Sequence, residues 1–276
     1  MANSTPIAAI NIPEVKLSSS TSDRKMPVIG LGMAVDNVDG NDMKLAVLEA
    51  IRLGYRHFDT ASLYGSEKAL GEAISEALKL GLVNSREELF ITTKLWCTEA
   101  HRDLVVPSLH KSLRNDFYLI KTNIFFRNLQ MAYIDLYLIH WPISAKPVTN
   151  NTQYLKRIFF QWTTRVFGNP WKSARGLALL SPLVSATFLP RSFLSFATIP
   201  PSVNQVEMNP VWQQRKLGEY CKAKGIIVTA FSPLGAKGSS WGTKGVLENE
   251  ALKQIANGHG KTVAQVPLHS FQFVVK

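Results

Sequence analysis

Four stretches of this chain carry an apolar, strand-like run straight into polar side chains that handle protons: HFDTASLYGSE (57–67), FITTKLW (90–96), LYLIHWP (136–142) and VNQVEMNP (203–210). A sheet of parallel strands makes use of such a pattern. It gathers the C-terminal ends of all its strands at one mouth, so residues distant in sequence share one pocket. The pattern assigns Asp59, Tyr64, Lys94 and His140 to that mouth.

The segments between these runs fit the same architecture. Apolar residues recur at helical spacing through 43–54, and YRHFD then switches to alternation ending at Asp59. A second helix is read through 67–82, where Leu70, Ala73, Ile74, Ala77 and Leu78 form one stripe that Gly81 closes. The S-x-x-E run Ser85-Arg86-Glu87-Glu88 has the form of a capping box and predicts a helical turn before the strand LFITTK (89–94). Another buried strand follows over 135–142 and stops at Pro142. Strand 203–207, helix 213–225, strand 226–232 and helix 246–258 then restore the alternation. Strands alternating with helices imply a parallel sheet with right-handed crossovers, hence an α/β chain and one domain over 1–276.

Two stretches break the pattern. Residues 116–128, DFYLIKTNIFFRN, interrupt a helix that otherwise runs into LQMAYIDLYLIH, and Arg114-Asn115 is echoed by Arg127-Asn128, so they read as an insertion. Residues 148–195 hold neither helical nor strand periodicity for long, and no strand is assigned there. That same stretch carries Lys156, Arg157, Arg165, Lys172, Arg175 and Arg191 with no acidic residue, and so holds +6 of the net charge of +11.

The local origin of the excess charge, with no helix-turn-helix, zinc-finger or RNA-recognition signature, argues against a nucleic-acid partner. The longest apolar run, 177–189, falls short of the roughly 20 residues a membrane-crossing helix needs, so no membrane partner is expected. Cys97 and Cys221 have no CxxC partner, and the histidines show no metal-ligand spacing, so neither a disulfide framework nor a metal is expected. The N-terminus lacks the charge and apolar pattern of a secretory signal, and a cytoplasmic setting is the expectation.

Carbonyl reduction without a metal needs a hydride donor and an acid for the developing alkoxide. A free phenol has a pKa of about 10, and a nearby cation makes it a better donor by favouring the phenolate. Tyr64 suits the acid and Lys94 the cation. Asp59 would keep the ammonium charged and fixed in direction, and His140 would orient the carbonyl substrate.

On these residues the chain resembles the aldo-keto reductase superfamily, and its N-terminal half is most similar to plant members near codeinone, methylecgonone and chalcone reductases. The resemblance implies a (β/α)8 TIM barrel that binds NADPH (NADP+) without a Rossmann glycine motif, with an Asp-Tyr-Lys-His tetrad falling on Asp59, Tyr64, Lys94 and His140. It implies that the backbone of PVIGLGMAV (27–35), at Gly32 and Met33, approaches the nicotinamide ribose, and that Gln205 binds the carboxamide. It further implies that Phe231 stacks on the nicotinamide, that Ser232 and Leu234 meet the pyrophosphate, and that Trp96 lines the substrate pocket.

The resemblance covers about 24–147 and 196–266. The family's SIGVSNF-like segment has no counterpart in 148–195, and the sequence ends before the eighth strand and closing helices. The barrel is therefore expected to be incomplete, in its fifth strand and in its eighth. That leaves a second reading open, a defective relative without stable cofactor binding, and a third, a non-enzymatic barrel that acts as a binding partner. The sequence specifies neither the carbonyl substrate nor the oligomeric state.

Overall fold

The computed structural model describes residues 12–17, 24–113, 128–141, 144–145, 185–187, 201–239 and 242–274. The chain opens with a hairpin of β1 (Glu14–Lys16) and antiparallel β2 (Lys25–Pro27). It continues through β3 (Leu31–Gly32), α1 (Gly40–Arg52), β4 (His57–Asp59), α2 (Glu67–Lys79), β5 (Phe90–Leu95) and α3 (Val105–Leu113). Next come β6 (Leu136–Ile139), β7 (Ser185–Thr187), β8 (Val203–Glu207), α4 (Arg215–Ala223), β9 (Ile227–Phe231), α5 (Glu250–Gly258) and α6 (Gln265–Val274). Strands β3 to β9 form one parallel sheet in sequence order.

The sheet is strongly curled, and one hydrogen bond proves it. Strands β4 and β8 are four places apart in the sheet, which would set them about 19 Å apart if it were flat. Yet Gln205 Nε2 on β8 donates to Asp59 Oδ2 on β4 at 2.8 Å. Only a sheet rolled about a lumen allows that contact, as in a barrel.

Strand alternation sorts side chains between lumen and helices. Phe90, Leu136, Leu138 and Val203 face inward and cluster with Leu17 and Met26, so the hairpin plugs the bottom of the lumen. Because Phe90 faces inward, Thr92 and Lys94 do too. Above the plug, His57 Nδ1 donates to the Pro27 carbonyl at 3.1 Å and its Nε2 pairs with Thr92 Oγ1 at 3.0 Å. The outward set, including Phe58, Ile91, Leu95, Tyr137 and Ile139, packs against Val47, Ile51, Leu70, Ile74 and Leu109 of the helices. Asp135, fully buried, ties the bottom together by accepting from Arg24 Nε and Arg86 Nη2, each at 2.7 Å, and from the Ile91 amide at 2.8 Å.

Helix ends follow the sequence signals with one exception. Gly81 adopts φ +66° after α2, and the Leu82 amide closes back on the Ala77 carbonyl at 2.9 Å. A helical turn, Arg86–Glu88, does precede β5, but Ser85 forms no side-chain cap. Glu88 Oε1 instead accepts from the Asn84 amide at 2.8 Å, so the predicted box is made from the residue before it.

The expectation that 148–195 supplies no strand is corrected at Ser185–Thr187. This run pairs in parallel with β6 (Leu138↔Ser185) and β8 (Thr187↔Gln205), filling the fifth place in the β3–β9 sheet. Small residues flanked by Pro182 and Pro190 carry no hydrophobic alternation, and pairing on both sides supplies what the local pattern lacks. The rest of 148–195, and of 116–128 all but Asn128, lie outside the described residues. Among the described residues the sheet ends at β9, with no eighth strand.

Candidate active site

Asp59 ends β4 and Lys94 is the last but one residue of β5, both on the inner face of the sheet, where Asp59 is in register with Gly32 and Thr92. Lys94, with no exposed surface, directs Nζ onto Asp59 Oδ1 and donates to the Thr60 carbonyl at 3.0 Å. Asp59 Oδ2 is taken by Gln205, so both carboxylate oxygens are engaged. Burial makes such a pair a poor source of stability but a good fixed charge, since water no longer screens it.

Tyr64 reaches this pair from a short 3-10 turn, Ser62–Tyr64, that Gly65 ends at φ +69°. Two hydroxyl contacts lock the turn: Ser62 Oγ donates to the Lys94 carbonyl at 3.1 Å, and Thr60 Oγ1 meets Ser66 Oγ at 2.7 Å. Lys94 Nζ then lies 4.9 Å from the centre of the Tyr64 ring. Sequence reading missed Thr60, Ser62 and Ser66 as supports. The density of small hydroxyl residues in DTASLYGS was the available signal.

His140 follows β6 and sits 3.3 Å from Tyr64, Nε2 to phenol oxygen, with the rings edge to face. Trp96 also packs edge to face with the imidazole at 5.1 Å. His140 is 93% removed from solvent, its relative exposure being 7%. Burial, reinforced by the Lys94 charge, pushes its pKa down to about 3, so the ring is neutral at pH 7. Among the described residues its Nδ1 is buried without a partner. An orphaned acceptor is tolerated better than an orphaned N–H, which assigns the proton to Nε2 and makes the imidazole a donor towards the phenol oxygen.

Burial also raises the Tyr64 pKa, and Lys94 opposes that rise without cancelling it. Lys94 acts in the direction expected of a tuning cation, but desolvation outweighs it, and the phenol is protonated at neutral pH. A group in that state can give a proton and cannot take one.

The remaining residues named from sequence are placed as follows. Gly32 is exposed, with no heavy atom within 4 Å of where a Cβ would stand, and the Met33 amide donates to the Asp59 carbonyl at 2.9 Å. Phe231 ends β9 in register with Glu207, and the half-buried Ser232 and Leu234 begin the following loop, Ser232 at φ +51°. Among the described residues no hydrogen bond or ring contact joins these three to Asp59, Tyr64, Lys94 or His140. Clefts of about 330 and 490 Å3 lie at the opposite end, beside the hairpin, between Glu14, Lys25 and Pro27, away from this chemistry. Among the described residues no group of acidic, histidine or cysteine side chains is placed to hold a metal, and no helix is long and apolar enough to cross a membrane.

The chain is similar to several known proteins. The chain is 48% identical to deoxymugineic acid synthase 1-B of Triticum aestivum over 246 residues, 88% of this chain and 74% of that protein. It is 47% identical to the NAD(P)H-dependent 6'-deoxychalcone synthase of Glycine max, over 95% of this chain and 79% of that one. It is likewise 47% identical to the D-galacturonate reductase of Fragaria ananassa, over 93% of this chain and 78% of that protein. Among solved structures, the Bombyx mori aldo-keto reductase in complex with NADP superimposes with a TM-score of 0.73 at 32% identity, covering 92% of this chain and 79% of that one. The Aldo/keto reductase family pattern itself matches residues 28–164 and 191–269, and to that family the chain belongs.

Proposed function

We propose that this protein reduces an aldehyde or ketone to an alcohol with NADPH, and that Tyr64 delivers the proton. The observation that carries the reading is the meeting of a protonated phenol, a buried ammonium and a neutral imidazole donor at one rim of the lumen. A relative whose name states NAD(P)H dependence, and a structural neighbour that holds NADP, support the choice of cofactor.

The residues present fit that group. The mouth is open at Gly32, where its backbone and that of Met33 would lie along the ribose, next to the Asp59 carboxylate. Gln205 would hold the carboxamide, Phe231 the nicotinamide face, and Ser232 and Leu234 the pyrophosphate. When bound, the reduced nicotinamide supplies the hydride.

The chain's own groups do the rest. With Nε2 of His140 3.3 Å from the Tyr64 hydroxyl, a carbonyl oxygen entering between them would take a hydrogen bond from each, which would orient it and stabilise its growing negative charge. Tyr64 passes its proton to that oxygen as the alkoxide forms. Lys94, held by Asp59 and the Thr60 carbonyl, stabilises the phenolate left behind. Trp96 walls one side of the imidazole and, with the part-exposed Trp141, offers the substrate an apolar surface.

The second reading is a relative that cannot retain cofactor. Fluorescence titration with NADPH decides between the two. Quenching at micromolar cofactor, together with NADPH oxidation on a small aromatic aldehyde, supports the reductase; no quenching supports the second. We extend the proposal to a cytoplasmic setting on two buried free thiols, that of Cys97 being pushed up to about 11 by burial. Cell fractionation tests it, and recovery with secreted proteins would reject it.

A further inference from the structure

The Asp59–Gln205 bond ties together two strands that lie four places apart in the sheet, directly beneath the group proposed as the acid. Asp59 Oδ1 is committed to Lys94, so the orientation of the carboxylate, and with it the direction of the ammonium, depends on what holds Oδ2. Gln205 Nε2 is the donor found there, at 2.8 Å. Lys94 has no exposed surface and so no water to compensate it if Asp59 turns away.

We propose that Gln205 is a positioning residue: through its bond across the lumen it fixes the Asp59 carboxylate, and thereby the Lys94 ammonium, under the Tyr64 phenol before any ligand enters. This deepens the proposed function and rests on it for the identity of the site. The role is distinct from binding carboxamide, because it operates in the ligand-free protein. A ligand that recruits the Gln205 amide must exchange for, or share, the Asp59 contact.

Among the described residues, few ionisable groups face Tyr64. Lys94 on β5 lowers its pKa and Asp59 on β4 raises it, while burial raises it most. His140 is neutral above about pH 3, and His57, one layer below, is held neutral by burial. A displaced ammonium therefore reads out as a phenol that titrates later.

The test uses the ligand-free full chain. The Tyr64 phenol is titrated by ultraviolet difference against Tyr64→Phe, in the parent and in Gln205→Met, which keeps the length of the side chain and removes the donor. NADPH affinity and thermal stability are measured alongside. The expected result is an upward displacement of the Tyr64 titration by about half a pH unit or more. Should Gln205→Met not fold, Gln205→Leu, which also removes the donor and adds no charge beside Asp59, is expected to shift the titration in the same direction. An unmoved titration overturns the proposal, whether NADPH binding weakens, as a cofactor clamp alone would show, or only stability falls, as a structural role would show. Because the titration needs neither cofactor nor turnover, its outcome is separate from the success of the reductase reading.

Discussion

The Leu129 amide donates to the carbonyl of Ser112 at 3.0 Å, and the Met131 amide to that of Leu113 at 3.1 Å, with Gln130 between them at φ +56°. This is the closing geometry of a helix end, with a left-handed residue and a six-to-one bond, yet the residues that complete α3 arrive only after 114–127. Leu129 and Met131 thus bond to the last turn of α3. Asn128, in the returning strand of sequence, donates to the buried Glu67 carboxylate at 2.9 Å.

Deletion of 116–128 is therefore expected to preserve the fold. It joins Asn115 to Leu129, makes the Ser112–Leu129 bond an ordinary helical one, and puts Asn115 where Asn128 now meets Glu67. Closing a loop of this size costs about 2 kcal/mol, so the shortened chain should melt at the same temperature or higher. A melting point lower by about 5 °C or more would contradict the helix-completion account.

The two halves of the buried ion pair should respond unequally to removal. Asp59→Asn leaves the Lys94 ammonium, fully enclosed, with the Thr60 carbonyl and a neutral amide. Lys94→Met leaves Asp59 with Gln205 and some solvent, its side chain being 17% exposed. Stranding the buried cation is expected to cost about 3–5 kcal/mol, and stranding the carboxylate less. Urea unfolding measures both, and equal losses would show that exposure is not what separates them.

Acid should unfold the protein earlier than carboxylates alone would. The unfolded histidine titrates near 6.5, whereas His140 in the folded chain titrates at about 3, so between those values the unfolded state binds the extra proton. Stability is then full above about pH 6.5 and falls as pH drops towards 3, by about 2 kcal/mol at pH 5 from this residue. His57, lowered in the same direction by burial, adds to the loss. His140→Asn should flatten the dependence between pH 7 and 5, and an unchanged slope would count against a buried neutral imidazole.

Much of the site is legible in the sequence because strand alternation is a local property. Once Phe90 is inward, Lys94 two residues beyond Thr92 must be, and the run DTASLYG places a tyrosine one turn past Asp59. The family pattern adds Gln205, but its bond to Asp59 depends on how far the sheet curls, which no window of sequence encodes. The strand Ser185–Thr187 escapes for a related reason: its pairing partners, not its own residues, make it a strand. Tyr64 shows a third limit. The sequence names the cation beside it but not the depth of burial, and burial sets the direction of its pKa.

The central claim is that the Tyr64 hydroxyl is the proton donor, and single-turnover NADPH oxidation by the Tyr64→Phe protein tests it most directly. Loss of a positioned general acid is expected to slow that step by about 10²–10⁴-fold while leaving NADPH affinity unchanged. A Tyr64→Phe protein that binds NADPH normally and reduces the carbonyl at the parent rate would contradict it.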